Sequence, residues 1–384
     1  MSESHDPRIH SIQAAAYRVP TATGGRERAE SDGTIAWDAT GVLVVRLTAG
    51  STTGLGYAYT SPAALGIVRE LLWDRVRGAD PLDTARSFWA MARATRNAGW
   101  PGVCASAIAA VDIAVHDLAA RLLDVPLVKL LGGAHETIAA YGSGGFTDYT
   151  DDELTAQLGA WAEQGLRSVK LKVGSHPRDD LRRVQLARAA VGDDVELFVD
   201  ANGAYDRKTA LDLAEQFVID GVTWFEEPVS SQDRDGLRLL RDRVPAPIRV
   251  AAGEYAYTPA DFRDLLVGGC VDVLQADATR CGITGFGIAA GLARAFGVPL
   301  SAHTAPALHA SVAAAHDEAV NVEYFHDHQR IEGMFFGGVP PVVDGELVPD
   351  PAAPGHGLRF REAAAAAYRV DTFAAGRAAR EGER

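Results

Sequence analysis

Three carboxylates, Asp200, Glu226 and Glu254, each close a short β-rich run (VELFVDAN, VTWFEEP and IRVAAGE) and recur 26 and 28 residues apart. Carboxylates gathered in a half-buried mouth repel one another, and each alone is costly to ionise. A hard divalent cation removes both difficulties, and an all-oxygen donor set with room for water and substrate suits Mg2+. The run SVKLKVG adds Lys170 and Lys172, two apart and so on one face of a strand. Only four of the 37 basic residues are lysines, the remaining two being Lys129 and Lys208. A carboxylate chelating Mg2+ has its α-proton acidified, because the cation stabilises the enediolate left by proton loss. A lysine drawn down in pKa by a neighbouring lysine and by the metal is a base near neutral pH.

A second pair faces the first. Asp277 closes VDVLQADAT and His303 closes VPLSAHT, so an aspartate can hold one imidazole nitrogen and leave the other as acid or base. His309, His316, His326 and His328 lack such a partner pattern and are read as structural or peripheral, with His326 and His328 close enough to the eighth run to reach the mouth.

These residues need a frame that delivers them to one place. From residue 136 to about 355, eight β-rich runs alternate with amphipathic helical stretches such as DELTAQLGAWAEQ and KTALDLAEQFVI. That rhythm predicts a parallel (β/α) barrel of the modified (β/α)7β kind, whose chemistry lies at the C-terminal ends of its strands. Asp200, Asn202, Glu226, Glu227, Glu254, Asp277, His303 and Glu323 all fall at such ends. A doubly wound sheet is the alternative, but YGSGGFTD matches its phosphate loop poorly. Residues 1–135 read differently. HSIQAAAYRV and GVLVVRLTAGSTTGLGYAY predict antiparallel strands with a turn over Gly50–Gly56, and a polar loop spans residues 20–32. Helices are expected near 62–77, 83–97 and 104–123, giving an α+β module. Residues 356–384 lie outside the barrel.

Composition narrows the function. The formal net charge of −14, with no basic tract, argues against a nucleic-acid partner. MSESHDPRIH has no signal-peptide layout, and no apolar run of the roughly 18 residues that span a bilayer is read from the sequence. Cys104, Cys270 and Cys281 are odd in number and lack ligand spacing, which fits small buried hydrophobes in a reducing cytoplasm.

Taken together, the motifs resemble the enolase superfamily, in its mandelate racemase-like branch. The likeness runs over nearly the whole chain, through ASAIAAVDIAVHDLAARLLDVPLVKLLGG, KLK, DAN, FEEP, AGE, DATRCGITGF, SAHTAP and VPDPAAPGHGL. A Lys or His base beside Mg2+ is the known chemistry of that superfamily and is no deduction from this chain. The resemblance implies Mg2+ ligands at Asp200, Glu226 and Glu254, a base at Lys172 with Lys170 as its electrostatic partner, and a dyad of His303 and Asp277. It implies that Glu323 bonds the substrate carboxylate, and that Asn202 and Glu227 contact substrate or support the ligands. It also implies an N-terminal capping domain completed by the C-terminal segment, whose 20–32 and 50–60 loops close over the site. Trp37, Tyr57 and Tyr59 are then candidate specificity contacts, and the chain is expected to form a homo-oligomer. Branches that use a second catalytic lysine from a later strand are excluded, since no lysine follows Lys208.

The activity expected from this likeness is dehydration of a sugar acid, a small carboxylate substrate. Lys172 takes the C2 proton, His303 protonates the leaving C3 hydroxyl, and a 2-keto-3-deoxy acid results. A racemase or epimerase would use the same groups, and a non-catalytic metal-binding scaffold is a third, different class.

Overall fold

The computed structural model describes residues 8–21 and 29–376. The chain begins with β1 (Ile9–Pro20), a short hairpin of β2 (Glu30–Ser31) and β3 (Ala36–Trp37), then β4 (Ala39–Ala49) and β5 (Thr52–Tyr59). β1, β4 and β5 pair antiparallel, and the C-terminal strand (Arg369–Gly376) adds to the free edge of β1. Residues 22–28 of the expected 20–32 loop lie outside the described residues.

One expectation fails here for a clear reason. The turn is not Gly50–Gly56; it is a tight reversal at Gly50 and Ser51, and Gly54 and Gly56 sit inside β5. A Cβ on Gly54 would lie 2.3 Å from the Ala114 carbonyl oxygen, and one on Gly56 2.1 Å from that of Ala110. These glycines let the strand lie flush on the Val103–Leu122 helix. That helix corrects a second expectation, since it is long and apolar enough to cross a membrane. Its most apolar window is 94% buried within the protein, where it packs between β5 and the Ala278–Phe296 helix.

The barrel has eight parallel strands: β6 (Ile138–Gly144), β7 (Ser168–Lys172), β8 (Glu196–Asp200), β9 (Val222–Glu226), β10 (Arg249–Ala252), β11 (Val273–Ala276), β12 (Leu300–Ala302) and β13 (Ala319–Phe325). They hydrogen-bond in sequence order, and β13 pairs with β6 to close the cylinder. A helix follows each strand, including His326–Phe335 after the eighth. Tyr141, Phe198, Trp224, Ala251 and Val273 fill the lower barrel, with Phe198 and Trp224 stacked at 5.0 Å. All three cysteines are free and buried.

Buried carboxylates tie the two parts together. Asp117 accepts from Leu55 N (2.8 Å), Arg121 Nε (2.6 Å) and His356 N (2.9 Å), joining helix, capping strand and C-terminal segment. Asp112 accepts from Thr284 N and Oγ1, each at 2.9 Å, which fixes the capping helix to the helix after β11. The β2–β3 hairpin is pinned above the barrel by Thr147 N to Ser31 O (2.8 Å) and Ser175 Oγ to Asp32 O (2.5 Å). Asp117→Ala would leave three donors without their acceptor. It should cost about 3–5 kcal/mol in urea unfolding, whereas a loss below about 1 kcal/mol would show that Asp117 does not join the two parts.

Candidate active site

β7 ends on Lys170 and Lys172, alternate residues pointing to the barrel interior, and both are buried. Lys170 Nζ lies 2.5 Å from Glu226 Oε2, 2.9 Å from Glu323 Oε1 and 3.7 Å from Asp200 Oδ2, above the Tyr141 ring at 5.2 Å. Lys172 Nζ lies 2.5 Å from Asp200 Oδ2. Asp200 and Glu226 are the last residues of β8 and β9, while Glu254 stands just beyond β10. Gly253 makes that last position possible, since a Cβ there would lie 2.2 Å from Gln275 O.

Across the mouth, Asp277 caps the helix after β11, taking Thr279 N and Oγ1 at 2.7 Å on Oδ1. Its other oxygen meets His303 Nδ1 at 2.9 Å. His303 Nε2 then faces Glu254 Oε2 at 3.3 Å and Glu323 Oε2 at 3.7 Å. Glu323 is itself fixed by Ser143 Oγ (2.5 Å) and Thr304 N (3.1 Å). Four non-glycine residues at strand ends have left-handed backbone: Asn202, Glu227, Thr304 and Ala305. Such conformations persist only where their surroundings hold them. Asp200 Oδ1 accepts from Asn202 N at 2.8 Å, and Glu323 holds Thr304.

The structure therefore gathers Lys170, Lys172, Asp200, Glu226, Glu254, Asp277, His303 and Glu323 at one mouth, with Asn202 and Glu227 on its rim. A cavity of about 820 Å3 beside them is lined by Asn202, Glu227, Tyr255, Tyr257, Thr34 and Pro101 among others, but not by Lys172 or His303. Two candidates sit elsewhere. Tyr57 is fully buried and donates to Glu332 Oε1 at 2.6 Å, and Trp37 Nε1 donates to Asp327 Oδ2 at 3.2 Å. Both brace the capping domain against the helix after β13. Tyr59 stacks on His328 at 3.3 Å.

Two further residues support the site, and the first was not anticipated. Arg280 donates to the Glu254 carbonyl oxygen, and its guanidinium lies 3.8 Å from Glu254 Oε1 and 3.7 Å from Asp277 Oδ2. Its position three residues after Asp277 in DATRCGITGF, one helical turn on, was the signal for it. His309, read as structural or peripheral, is structural: it accepts Ala278 N (2.9 Å) and bonds Thr304 O (2.7 Å), joining the turns that carry Asp277 and His303.

Charge is the governing quantity. Six buried carboxylates (Asp200, Glu226, Glu227, Glu254, Asp277, Glu323) face four cationic side chains, Lys170, Lys172, Arg280 and His303. Burial, then Asp200, pushes Glu226 up to about 8. Burial, then Glu254, pushes Glu227 well above the carboxylate range. Glu254 goes the other way, since His303 and Arg280 outweigh its burial. Glu323 is held at about 2 against burial by Lys170 and His303. Burial is the largest influence on Lys172 and opposes its charge, as Lys170 does, but Asp200, Glu323 and Glu226 together outweigh them and hold it above the ordinary lysine value. The sequence expectation that Lys170 draws Lys172 down is right in sign, but without a cation the surrounding carboxylates prevail. Ligand atoms of Asp200, Glu226 and Glu254 lie within 4.8 Å of one another, and Glu226 Oε1 is buried without a partner. A divalent cation supplies the two missing positive charges to an all-oxygen set, so these residues fit Mg2+.

The sequence matches the family model described as Enolase C-terminal domain-like over residues 153–364. It matches that of the Mandelate racemase / muconate lactonizing enzyme N-terminal domain over residues 32–132. It is 32% identical over 278 residues to L-talarate/galactarate dehydratase of Salmonella typhimurium, covering 71% of this chain and 69% of that protein. A mandelate racemase/muconate lactonizing enzyme-like protein from Rubrobacter xylanophilus superposes with a TM-score of 0.91 at 46% identity, over 95% of this chain and 100% of its own. The Salmonella dehydratase liganded with Mg and L-lyxarohydroxamate superposes with a TM-score of 0.88 at 26% identity, over 96% and 95%.

Two measurements test the site. Mg2+ at about 100-fold its Kd should stabilise the protein by about 2.7 kcal/mol, and Asp200→Asn, Glu226→Gln or Glu254→Gln should each abolish that gain. Stabilisation that survives all three would place the cation elsewhere. In metal-free protein, Glu254, Glu323 and Asp277 overcome burial and raise His303 from 6.5 to about 9. The imidazolium's contribution to stability is therefore complete below pH 6.5 and lost as pH rises through 9. A His303 ring that titrates near 6.5 by NMR would contradict this geometry.

Proposed function

Because this chain belongs to the mandelate racemase / muconate lactonizing enzyme family, we propose that it is a Mg2+-dependent dehydratase of a sugar acid. The observation that carries the reading is a lysine and an imidazolium converging on one carboxylate cluster, with Asp277 holding the imidazolium ready to give a proton. The similarity to L-talarate/galactarate dehydratase supports the substrate class.

Asp200, Glu226 and Glu254 would hold the cation. When bound, Mg2+ stabilises the negative charge that proton loss leaves on the substrate carboxylate and draws Asp200's charge away from Lys172. Lys170, pinned between Glu226 and Glu323, stays cationic and repels a proton on Lys172. Lys172 Nζ takes the proton from C2, and the freed electron pair becomes the C2–C3 double bond as the C3–oxygen bond breaks. His303 Nε2 gives its proton to the departing hydroxyl, which leaves as water, and Asp277 holds Nδ1 throughout. The resulting enol tautomerises to a 2-keto-3-deoxy acid. Glu323 orients the substrate carboxylate, while Asn202 and Glu227 bound the adjoining cavity.

A second reading, racemisation of a 2-hydroxy acid, is favoured by the same flanking of the carboxylates by Lys172 and His303. There His303 returns a proton to C2 and no water leaves.

Mono- and diacid sugars assayed with Mg2+ for 2-keto product separate the two. At least one should yield a 2-keto-3-deoxy acid, with Lys172→Ala slowing it by about 10^3-fold or more. His303→Asn should stop elimination yet still exchange the C2 proton in D2O. Exchange without keto product in the wild type would favour racemisation, and neither reaction on any acid would overturn the dehydratase reading.

A further inference from the structure

The chemistry above leaves one mouth histidine unused. His328 lies in the first turn of the helix after β13, and its Nδ1 accepts the Ala305 N–H at 3.3 Å. A backbone amide can only donate, so Nδ1 carries no proton and the neutral ring must hold its proton on Nε2. Burial reinforces this by lowering the ring's pKa to about 3, with His303 acting in the same direction and Asp327, Asp277 and Glu323 opposing.

The ring cannot turn to use that proton elsewhere. Tyr59 stacks on one face at 3.3 Å and 8°, and its hydroxyl donates to the His328 carbonyl oxygen at 3.2 Å. Phe325 meets the ring edge-on at 5.0 Å. Among the described residues no group bonds Nε2. Its location follows from its neighbours. Ala305 is two residues beyond His303, and the Phe325 ring lies 5.9 Å from Lys172 Nζ. His328 thus packs beside the turn that follows His303 and against the ring that lies over Lys172, under the capping strand that carries Tyr59. Among the described residues no carboxylate bonds Nε2, so none of them is a partner with which the ring could relay a proton.

We infer that His328 sets substrate specificity: its locked Nε2–H donates to a hydroxyl oxygen of the sugar acid beyond C3. This rests on the dehydratase reading, in which C2 faces Lys172 and C3 faces His303, so the remaining hydroxylated chain must pass the adjacent rim. A fixed donor distinguishes a hydroxyl placed to meet it from its epimer or from the deoxy compound. Tyr59 shapes specificity through this ring, as the group that holds its plane.

The test uses the Mg2+-loaded enzyme and the sugar acid it dehydrates best. His328→Asn keeps an acceptor near Nδ1 for Ala305 but loses the outer donor, while His328→Gln keeps a donor near Nε2. The asparagine variant should raise KM about tenfold to a hundredfold with kcat within a factor of about three. The glutamine variant should recover most of that loss, and wild type and asparagine variant should converge on a substrate deoxygenated at the recognised carbon. Ring 15N shifts of wild type at pH 7 should show Nε2 protonated and Nδ1 bare. An unchanged KM in His328→Asn, a glutamine variant as poor as the asparagine one, or a proton on Nδ1 would overturn the assignment. If wild type dehydrates no sugar acid, the dehydratase reading falls and this substrate class with it. Turnover by wild type with an unaffected His328→Asn overturns the His328 inference alone.

Discussion

Like charges crowded out of water govern this molecule. Six buried carboxylates at one barrel mouth would drive the strand ends apart if their charge were not met. Four cationic side chains meet most of it, three of them placed between two or more acids: Lys170 between Glu226 and Glu323, His303 between Asp277 and Glu254, and Arg280 between Glu254 and Asp277, while Lys172 pairs with Asp200. The shortfall is two charges, and its cost shows where Glu226 and Glu227 are pushed toward their protonated forms. A divalent cation among Asp200, Glu226 and Glu254 closes that gap. In the proposed reaction the same arrangement would set a lysine and an imidazole on one bound acid, so the solution to an electrostatic problem would also serve catalysis.

The fold answers to that constraint. A parallel barrel delivers one or two side chains per strand to a common mouth, so that residues 153 apart, Lys170 and Glu323, come within 2.9 Å. Turns beyond the strand ends do the fine placement, and several hold strained backbone that neighbouring acids and histidines keep in place. Above the mouth, the capping sheet is braced by Tyr57 on Glu332 and the β2–β3 hairpin by Trp37 on Asp327. The side chains that shape the outer site therefore rest on contacts between separate parts of the chain.

That division explains what could be read from sequence. Strand-end carboxylates, the K-x-K pair and the Asp–His pair were legible because barrel periodicity converts position along the chain into position around a ring. The capping contacts were not, because Tyr57, Trp37 and His328 take their roles from elements some 270 to 290 residues away. Gly54 and Gly56 were misread as a turn because glycine serves both a reversal and a close approach, and only the helix lying against them decides which. Arg280 was visible as a residue but not as a brace, since its three-residue offset from Asp277 has meaning only once a helix starts there. The pull of Asp200 on Lys172 in the absence of a cation was not legible, because the two residues are 28 apart in sequence and meet only when β7 and β8 pair.

The central claim is that one cation site and two opposed proton-moving groups act on a single bound acid. A crystal structure with Mg2+ and an unreactive hydroxamate of a sugar acid tests it most directly. The account predicts Mg2+ on Asp200, Glu226 and Glu254, with Lys172 Nζ directed at the carbon next to the metal-bound group and His303 Nε2 approaching from the other side. Mg2+ held by other residues, or Lys172 and His303 on the same side of that carbon, would contradict it.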